Sequence, residues 1–388
     1  MEEYIRKPLR ENIDEMFIGP FGSSLKNEAF VEKKDAYCMV YEQKHAIQKT
    51  MNVETRYVTK EKYEELKRFN IKGGDIIVSC RGTIGETFVV PLNAPLGIMH
   101  PSIMKIRLKE DVYDKQYFNL LLIKYLKEHE AEANGSGVKM AISAKELSEI
   151  CFPIPPIDVQ KNIVSLFENV DNMIHLRKQQ LSKLDELVKA RFVELFDKYG
   201  TLRIGDVFKT TSGGTPSKTH PEYYESGTIP WLSSGEVNAG IIHSVKNFIT
   251  QAGVDNSSAK MVPKNTVVIA MYGATAGQVG LLRIATTTNQ AVCSVLPDSR
   301  YVPEYLYYAI KSKKDWMISQ CAGGAQPNIS QGVIKRMEIV DAPFEAQKQF
   351  ATFVEQTDQS KLEIQKSLQQ LETLKKALMQ KYFGRGGK

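Results

Sequence analysis

Catalysis and ligand binding need particular residue types at defined spacings. The most suggestive run is Gly213-Gly214-Thr215-Pro216-Ser217-Lys218. It looks like a phosphate-binding loop, but the G-x-x-x-x-G-K-[ST] spacing is absent, and Pro216 removes an N–H that such a cradle needs. No G-x-G-x-x-G run follows a strand and opens a helix, and neither G-x-S-x-G nor H-E-x-x-H occurs. The histidines, His45, His100, His129, His175, His220 and His243, show no H-x-x-x-H spacing. The cysteines, Cys38, Cys80, Cys151, Cys293 and Cys321, are odd in number and never form C-x-x-C. They read as reduced, structural thiols, and no metal site is expected. Adjacent carboxylates such as Glu64-Glu65 read as surface helix pairs. The residues for catalysis are present without a catalytic constellation, so the chain is not expected to be an enzyme.

What remains is a recognition chemistry carried by loops. Gly-rich turns recur at 134–137, 211–216 and 322–325, in loop-rich parts of the kind where recognition residues usually sit. Short β-branched runs at 75–79 and 266–271, bounded by Gly, Pro or Asn, read as strands. Segments 113–129 and 303–314 read as helices. The globular parts are therefore mixed α and β.

These elements occur twice. Pro156…Gln160-Lys161 matches Pro343…Gln347-Lys348 at an offset of 187, and between 152–196 and 339–383 there are eleven identities in 45 positions. Ile142-Ser143 meets Ile329-Ser330 at the same offset. Further upstream the match needs single-residue gaps: Arg81-Gly82-Thr83-Ile84-Gly85 resembles 272–277, and 19–26 resembles 213–218. Each half reads as a divergent globular unit followed by a similar helix. In the first helix apolar residues fall at 163, 167, 170, 174, 181, 184, 188 and 195, the alternating four-three spacing of a coiled coil, interrupted by Arg177 and Arg191. The same register in the second gives Phe350, Val354, Ile364, Leu368, Leu371, Leu378 and Tyr382, interrupted by Thr357, Lys361 and Lys375. Pro155-Pro156 and Asp158 mark the first helix start. Some forty residues at ~1.5 Å each predict a rod of ~60 Å. Two such rods are expected to pair antiparallel, with one globular domain at each end and a pseudo-twofold axis between them. The predicted boundaries are 1–155, 156–200, 201–342 and 343–388.

Composition bounds the rest. Of 388 residues, 42% are hydrophobic, 25% charged and 9% aromatic, ordinary globular values. The net charge of +6 excludes a polybasic protein. It is unevenly held: 1–155 carries 23 basic and 23 acidic residues, while 201–342 carries 13 and 10. The opening residues 1–4 show no secretory h-region, and no apolar stretch approaches ~18 residues, so a cytoplasmic, membrane-free protein is expected.

Taken in order, these motifs resemble the specificity subunit of type I restriction–modification systems. The resemblance rests on Pro155-Pro156…Gln160 and Pro343…Gln347, on the loop at 213–218, and on Ile229-Pro230-Trp231-Leu232. It rests also on the Gly-x-x-x-Gly loop at 273–277 and on Asn328-Ile329-Ser330. It covers essentially the whole chain. The first half departs from it, with Met140-Ala141-Ile142-Ser143 and Gly19-Pro20-Phe21-Gly22 in place of the second-half forms.

The resemblance implies an α+β fold: two target-recognition domains joined by two long helices in an antiparallel coiled coil. It implies a non-catalytic subunit reading one bipartite, asymmetric site on double-stranded DNA, each domain taking one half. The helices would dock two methyltransferase subunits that modify adenine N6, and restriction/translocase subunits would join them. S-adenosylmethionine, ATP and Mg would sit on those partners and no cofactor on this chain. Half-site centres near one turn apart, ~34 Å, are within the reach of such rods. The implied DNA contacts are Ser24, Lys26, Arg81 and Lys139 in the first unit and Thr215, Ser217, Lys218, Tyr272 and Gln326 in the second. The bland alternative for each is a solvated loop residue or a Ser/Thr satisfying a turn. Gln160 and Gln347 are assigned to the partner interface, with capping of the local backbone as the alternative. Trp231 reads as core. With the first unit neutral overall, its basic residues must be sorted onto one face, or the partners must supply much of the affinity. Two other classes stay open, a coiled-coil adaptor that binds proteins without DNA, and a stand-alone DNA-modifying enzyme.

Overall fold

The computed structural model describes residues 4–81, 83–134, 143–321 and 328–384. The chain divides into two compact units, Met1–Leu176 with Leu368–Lys388, and Arg177–Ser367, so each takes one half of each long helix.

In the first unit the strands are β1 (Arg6–Pro8), β2 (Ile13–Ile18), β3 (Cys38–Tyr41), β4 (Tyr57–Val58), β5 (Asn70–Ile71), β6 (Ile76–Ser79), β7 (Thr87–Val89), β8 (Gly97–Met99), β9 (Ile103–Leu108) and β10 (Cys151–Pro153). The helices are α1 (Gln43–Gln48), α2 (Lys60–Glu65), α3 (Lys115–Asn134), α4 (Ala144–Glu149) and the start of α5 (Ile157–Phe196). One sheet runs β2-β9-β6-β7, all antiparallel, and a second runs β4-β3-β8-β5 with β3 and β8 parallel. β1 pairs with β10.

The second unit repeats this plan. Its strands are β11 (Thr201–Arg203), β12 (Thr210–Ser212), β13 (Ile229–Leu232), β14 (Ile241–Ile242), β15 (Asn247–Ile249), β16 (Met261–Val262), β17 (Val267–Ala270), β18 (Val279–Leu282), β19 (Thr286–Thr288), β20 (Val292–Val295) and β21 (Glu338–Val340). Its helices are α6 (Ile204–Val207), α7 (Gln251–Asp255), α8 (Pro303–Lys311), α9 (Lys314–Ser319), α10 (Gln331–Arg336) and part of α11 (Phe344–Phe383). The sheets run β12-β20-β17-β18-β14 and β15-β13-β19-β16, with β13 and β19 parallel, and β11 pairs with β21. Apart from β14 the order matches the first unit strand for strand. The duplication visible in the helices therefore extends through the drifted globular parts. The expected helix at 303–314 is two helices, α8 and α9, meeting between Lys311 and Lys314.

Each unit fixes its long helices the same way. Ser143 caps α4 by accepting from the Glu146 amide, and Ser330 caps α10 by accepting from the Val333 amide. In the first unit the rings of Phe167 of α5 and Phe383 of α11 meet tilted, 5.8 Å between centroids, and Phe383 meets Tyr117 of α3 at 5.4 Å. In the second unit Phe196 of α5 lies 5.5 Å from Phe350 of α11 and 4.8 Å from Tyr305 of α8. Each such pair adds about 0.5–1.5 kcal/mol beyond its area burial. Within each unit the partners run in opposite directions, so the helices are antiparallel. The lysines that break the seam are neutralised there: Lys375 pairs with Asp171 in the first unit, and Lys361 with Asp185 at 2.7 Å in the second. At the end of α5 the buried residues are Phe192 and Phe196, with Leu195 only partly covered, because the rings face α8 as well as α11.

Candidate nucleic-acid interface

The candidate DNA contacts among the described residues fall on loops at one end of the antiparallel sheet in each unit. In the first unit the chain leaves β2 at Gly19, whose amide donates to the Ile103 carbonyl at 3.0 Å. A Cβ on Gly19 would lie 2.3 Å from the His100 carbonyl oxygen, so no larger residue fits this crossing. Pro20 and Leu25 are buried, and the tight turn Gly22–Ser24 closes with the Ser24 amide donating to the Phe21 carbonyl at 2.8 Å. Ser24 is half-buried, while Lys26 is exposed. The second loop leaves β6: the Cys80 amide donates to the Ser102 carbonyl at 2.8 Å, and Arg81 projects into solvent. Both loops therefore bracket His100–Ser102. Lys26 and Arg81 make no ion pair among the described residues.

His100 and Ser102 are linked, with Nδ1 and Oγ 2.8 Å apart. Burial, ahead of the mixed influence of surrounding charges that includes Arg81, holds the His100 imidazole below its usual pKa. At neutral pH it is a neutral hydrogen-bonding group.

The second unit builds the same corner from different residues. Gly213 approaches so closely that a Cβ would meet the Thr288 carbonyl oxygen at 1.8 Å, and the Gly214 amide donates to that oxygen at 2.9 Å. Half-buried Trp231 donates from Nε1 to the Gly214 carbonyl at 3.0 Å, so it braces the loop from beneath. Thr215 donates to Gln290 Oε1, Tyr224 donates to the Pro216 carbonyl, and Ser217 and Thr219 hydroxyls lie 2.7 Å apart. Lys218 is exposed and makes no ion pair among the described residues. From β17 the Met271 amide donates to the Ala291 carbonyl at 2.8 Å, and Tyr272, 41% exposed, forms a β-bridge with Asn328. Here the two loops bracket Thr288–Ala291. Gly85 and Gly277 turn the corresponding loops with φ of +84° and +76°, a conformation that favours glycine.

Ser24, Lys26 and Arg81 thus lie on two loops that flank His100–Ser102 in one unit, and Thr215, Ser217, Lys218 and Tyr272 on two loops that flank Thr288–Ala291 in the other. Lys139 and Gln326 lie outside the described residues. The structure adds His100, Ser102 and Gln290 to these corners. No local sequence signal marked them, since strand pairing alone places them there. It also adds Phe21, which lies in the Gly19-Pro20-Phe21-Gly22 run and stands exposed there.

Gln160 and Gln347 require a correction. Both are buried within their own units, at 0% and 1% exposure. Gln160 accepts from the Asp114 amide at 2.8 Å and donates to the carbonyls of Val112 and Pro155 at 3.0 and 2.8 Å. Gln347 accepts from the Val302 amide at 2.8 Å and donates to the carbonyls of Ala342 and Arg300 at 2.8 and 3.4 Å. Their amides bind the start of a long helix to the entry of α3 or α8. Local capping, rather than partner contact, is what the geometry gives them.

Charge in the first unit is partly internal. Lys105 is fully buried and donates to Glu15 and to the Asn70 carbonyl. Arg107 forms a two-pronged pair with Asp75, both bonds 2.7 Å. Burial lowers the Lys105 pKa. The Glu15 carboxyl, which burial alone would raise, is held below its usual value by Lys105 and Arg107. Among the described residues no group of His, Cys, Asp and Glu is arranged to hold a metal ion, and no helix is long and apolar enough to cross a membrane.

Two units of one plan, each offering a pair of braced polar loops at a sheet end, define a duplicated α+β recognition protein. The family model described as type I restriction modification DNA specificity domain matches twice, over residues 18–186 and 197–376. The chain belongs to that family. It is 27% identical over 197 residues to the EcoR124I/EcoR124II specificity subunit of Escherichia coli, a stretch covering 47% of this chain and 48% of that protein. It thus spans about half the length of this relative. The type I S subunit from M. genitalium shares the fold with a TM-score of 0.53 at 16% identity, covering 99% of this chain and 97% of that one. A chain from a solved structure of type I R-M complex assembly and conformational transition gives 0.68 at 15% identity, covering 99% and 98%. At such identities these two likenesses show the fold alone.

Proposed function

We propose that this chain is the DNA-reading, non-catalytic subunit of a type I restriction–modification complex. Each unit reads one half of a bipartite, asymmetric site on double-stranded DNA. The observation that carries this is the repetition of one corner, two braced loops around a strand end, with different side chains in the two units. A shared frame with divergent loop chemistry is what two half-sites of different sequence require. Ser24, Lys26, Arg81, Thr215, Ser217, Lys218 and Tyr272 are the described contact residues, with Lys139 and Gln326 proposed beside them. Two adenine-N6 methyltransferase subunits dock along α5 and α11, where Leu176, Leu187, Val193, Leu362 and Leu374 stand exposed. Restriction/translocase subunits complete the assembly. S-adenosylmethionine, ATP and Mg belong to those partners. The matching family model is described as a DNA specificity domain, which favours this reading over an adaptor without DNA contact.

The test is nuclease protection by the full chain co-purified with its host methyltransferase subunits. One protected site with two separated half-sites supports the reading. Binding should weaken with salt, and removing Lys26 or Lys218 should each lower the log–log salt slope by about one. Absence of any sequence-specific protection would refute it.

A further inference from the structure

We propose that Phe21 in the first unit and Tyr272 in the second are aromatic wedges that stack on bases of the half-site each unit reads. The inference rests on the DNA-reading function proposed above and names residues that would set its specificity.

Phe21 is 87% exposed, more than any other large apolar side chain among the described residues. Single exposed apolar residues are ordinary on protein surfaces. Three observations separate this one. Its backbone is fixed on both sides, by Gly19 bonded to Ile103 and by the Ser24 amide on its own carbonyl, while its neighbours Pro20 and Leu25 are buried. The ring is therefore presented on a rigid mount, and little conformational freedom is left to lose on binding.

The second observation is positional. Phe21 lies two residues beyond Gly19, the glycine that crosses the neighbouring strand end. Its counterpart two residues beyond Gly213 is Thr215. Arg81 lies two residues beyond the end of β6, and its counterpart two residues beyond the end of β17 is Tyr272. So the paired loop tips carry Phe and Arg in one unit, Thr and Tyr in the other. Each corner holds one ring and one polar group, with the positions exchanged. Tyr272 is likewise anchored, by its bridge to Asn328 and by the turn Gly273–Thr275 that it caps.

The third observation selects the occupant. None of the four loops, 19–26, 80–85, 213–219 and 271–278, contains an acidic residue. Lys26, Arg81 and Lys218 stand in them without ion pairs among the described residues. An exposed ring on loops that carry unpaired cations suits a polyanion with flat apolar faces at its centre, which is a nucleic acid. A Phe ring has no hydrogen bond to offer a base edge; it stacks, wedges or touches a thymine methyl, and only the first two disturb the base stack.

The experiment uses the full chain co-purified with its host methyltransferase subunits, and a randomised pool of duplexes as probe. The wild-type complex should enrich one bipartite duplex. Base unstacking in that duplex is read by permanganate at thymines and by 2-aminopurine at adenines. Phe21→Ala should weaken binding about 5- to 150-fold, the range for removing one base–aromatic stack, and abolish unstacking in one half-site only. Tyr272→Ala should do the same in the other half-site. Phe21→Tyr and Tyr272→Phe should retain both properties, and all four variants should unfold thermally like wild type. If the alanine variants bind the enriched duplex as tightly, with unchanged unstacking, the wedges are refuted while DNA reading stands. If they keep DNA but lose methyltransferase subunits, the rings are protein contacts and the proposal fails. If the wild-type complex enriches nothing, both the wedges and the reading beneath them fall.

Discussion

Replacing Gln160 with leucine should destabilise the first unit selectively, and the size follows from three contacts. The side chain is fully buried and satisfies the Asp114 amide and the Val112 and Pro155 carbonyls, all at 2.8–3.0 Å. Leucine fills most of the volume and leaves no room for a substituting water. Each hydrogen bond contributes about 0.5–1.5 kcal/mol net, and each buried group left unpaired costs about 1–3 kcal/mol. Partial relaxation of the loop before α3 keeps the total near the lower bound, about 3 kcal/mol. For a unit of this size that corresponds to a fall of roughly 6–12 °C in the unfolding midpoint. Gln347→Leu should act on the second unit and cost less, because its contact with Arg300 is already long at 3.4 Å. Calorimetry on the full chain separates the two units, and each variant should lower one transition while leaving the other in place. If both variants unfold like wild type yet fail to retain partner subunits, the glutamines are partner contacts and the clasp argument is wrong.

Other consequences are as direct. Asp75→Ala removes the two-pronged partner of Arg107, whose side chain is only 15% exposed and keeps its ion pair to Glu15 at 2.8 Å, and should cost about 1–3 kcal/mol by denaturant titration. Because the folded-state pKa of Glu15 lies below its usual 4.5, its pairing with Lys105 stabilises the chain above that value and is lost as pH falls through the folded value. Glu15→Gln should therefore flatten the acid limb of the stability–pH curve. Burial pushes the Cys38 and Cys80 thiols up to about 11 and Cys293 up to about 12. A thiol reagent at pH 8 should therefore modify exposed Cys151 first, with Cys38, Cys80 and Cys293 reacting only after unfolding. Gly213→Ala drives a methyl into the Thr288 carbonyl and should disorder the 213–218 loop, seen as faster amide exchange there with α11 unchanged.

The long helices were legible because their signals are local. Seam spacing, the Pro start and the first-turn Asp158 all lie within a few residues of what they determine, and helices that pack alike stay alike. The strands at 75–79 and 266–271 were legible from β-branched runs for the same reason. Sheet order was not, because β3 pairs with β8 and β13 with β19 across more than fifty residues, where no period links the partners. Nor could the sequence show that Lys105 and Arg107 turn inward: alternation marks a face, while a buried cation is legible only through distant Glu15 and Asp75. Gln160 and Gln347 stood out correctly as repeated. The groups they bond come from the entry of α3 or α8, so the role assigned to them was a partner's. At the corners, glycines and cations were readable as loop chemistry. His100, Ser102 and Gln290 arrive only through strand pairing, and Phe21 is set apart by an exposure that composition does not carry.

The most direct test of the central claim is to sequence methylated adenines in host cells that express the methyltransferase subunits, with this gene present and deleted. The account predicts that deletion removes N6-methyladenine from one asymmetric bipartite site and leaves other modified sites unchanged. It also predicts that substitutions in the 19–26 and 80–85 loops alter one half of that site, while substitutions in the 213–218 and 271–277 loops alter the other. An identical methylome in the two strains would contradict it.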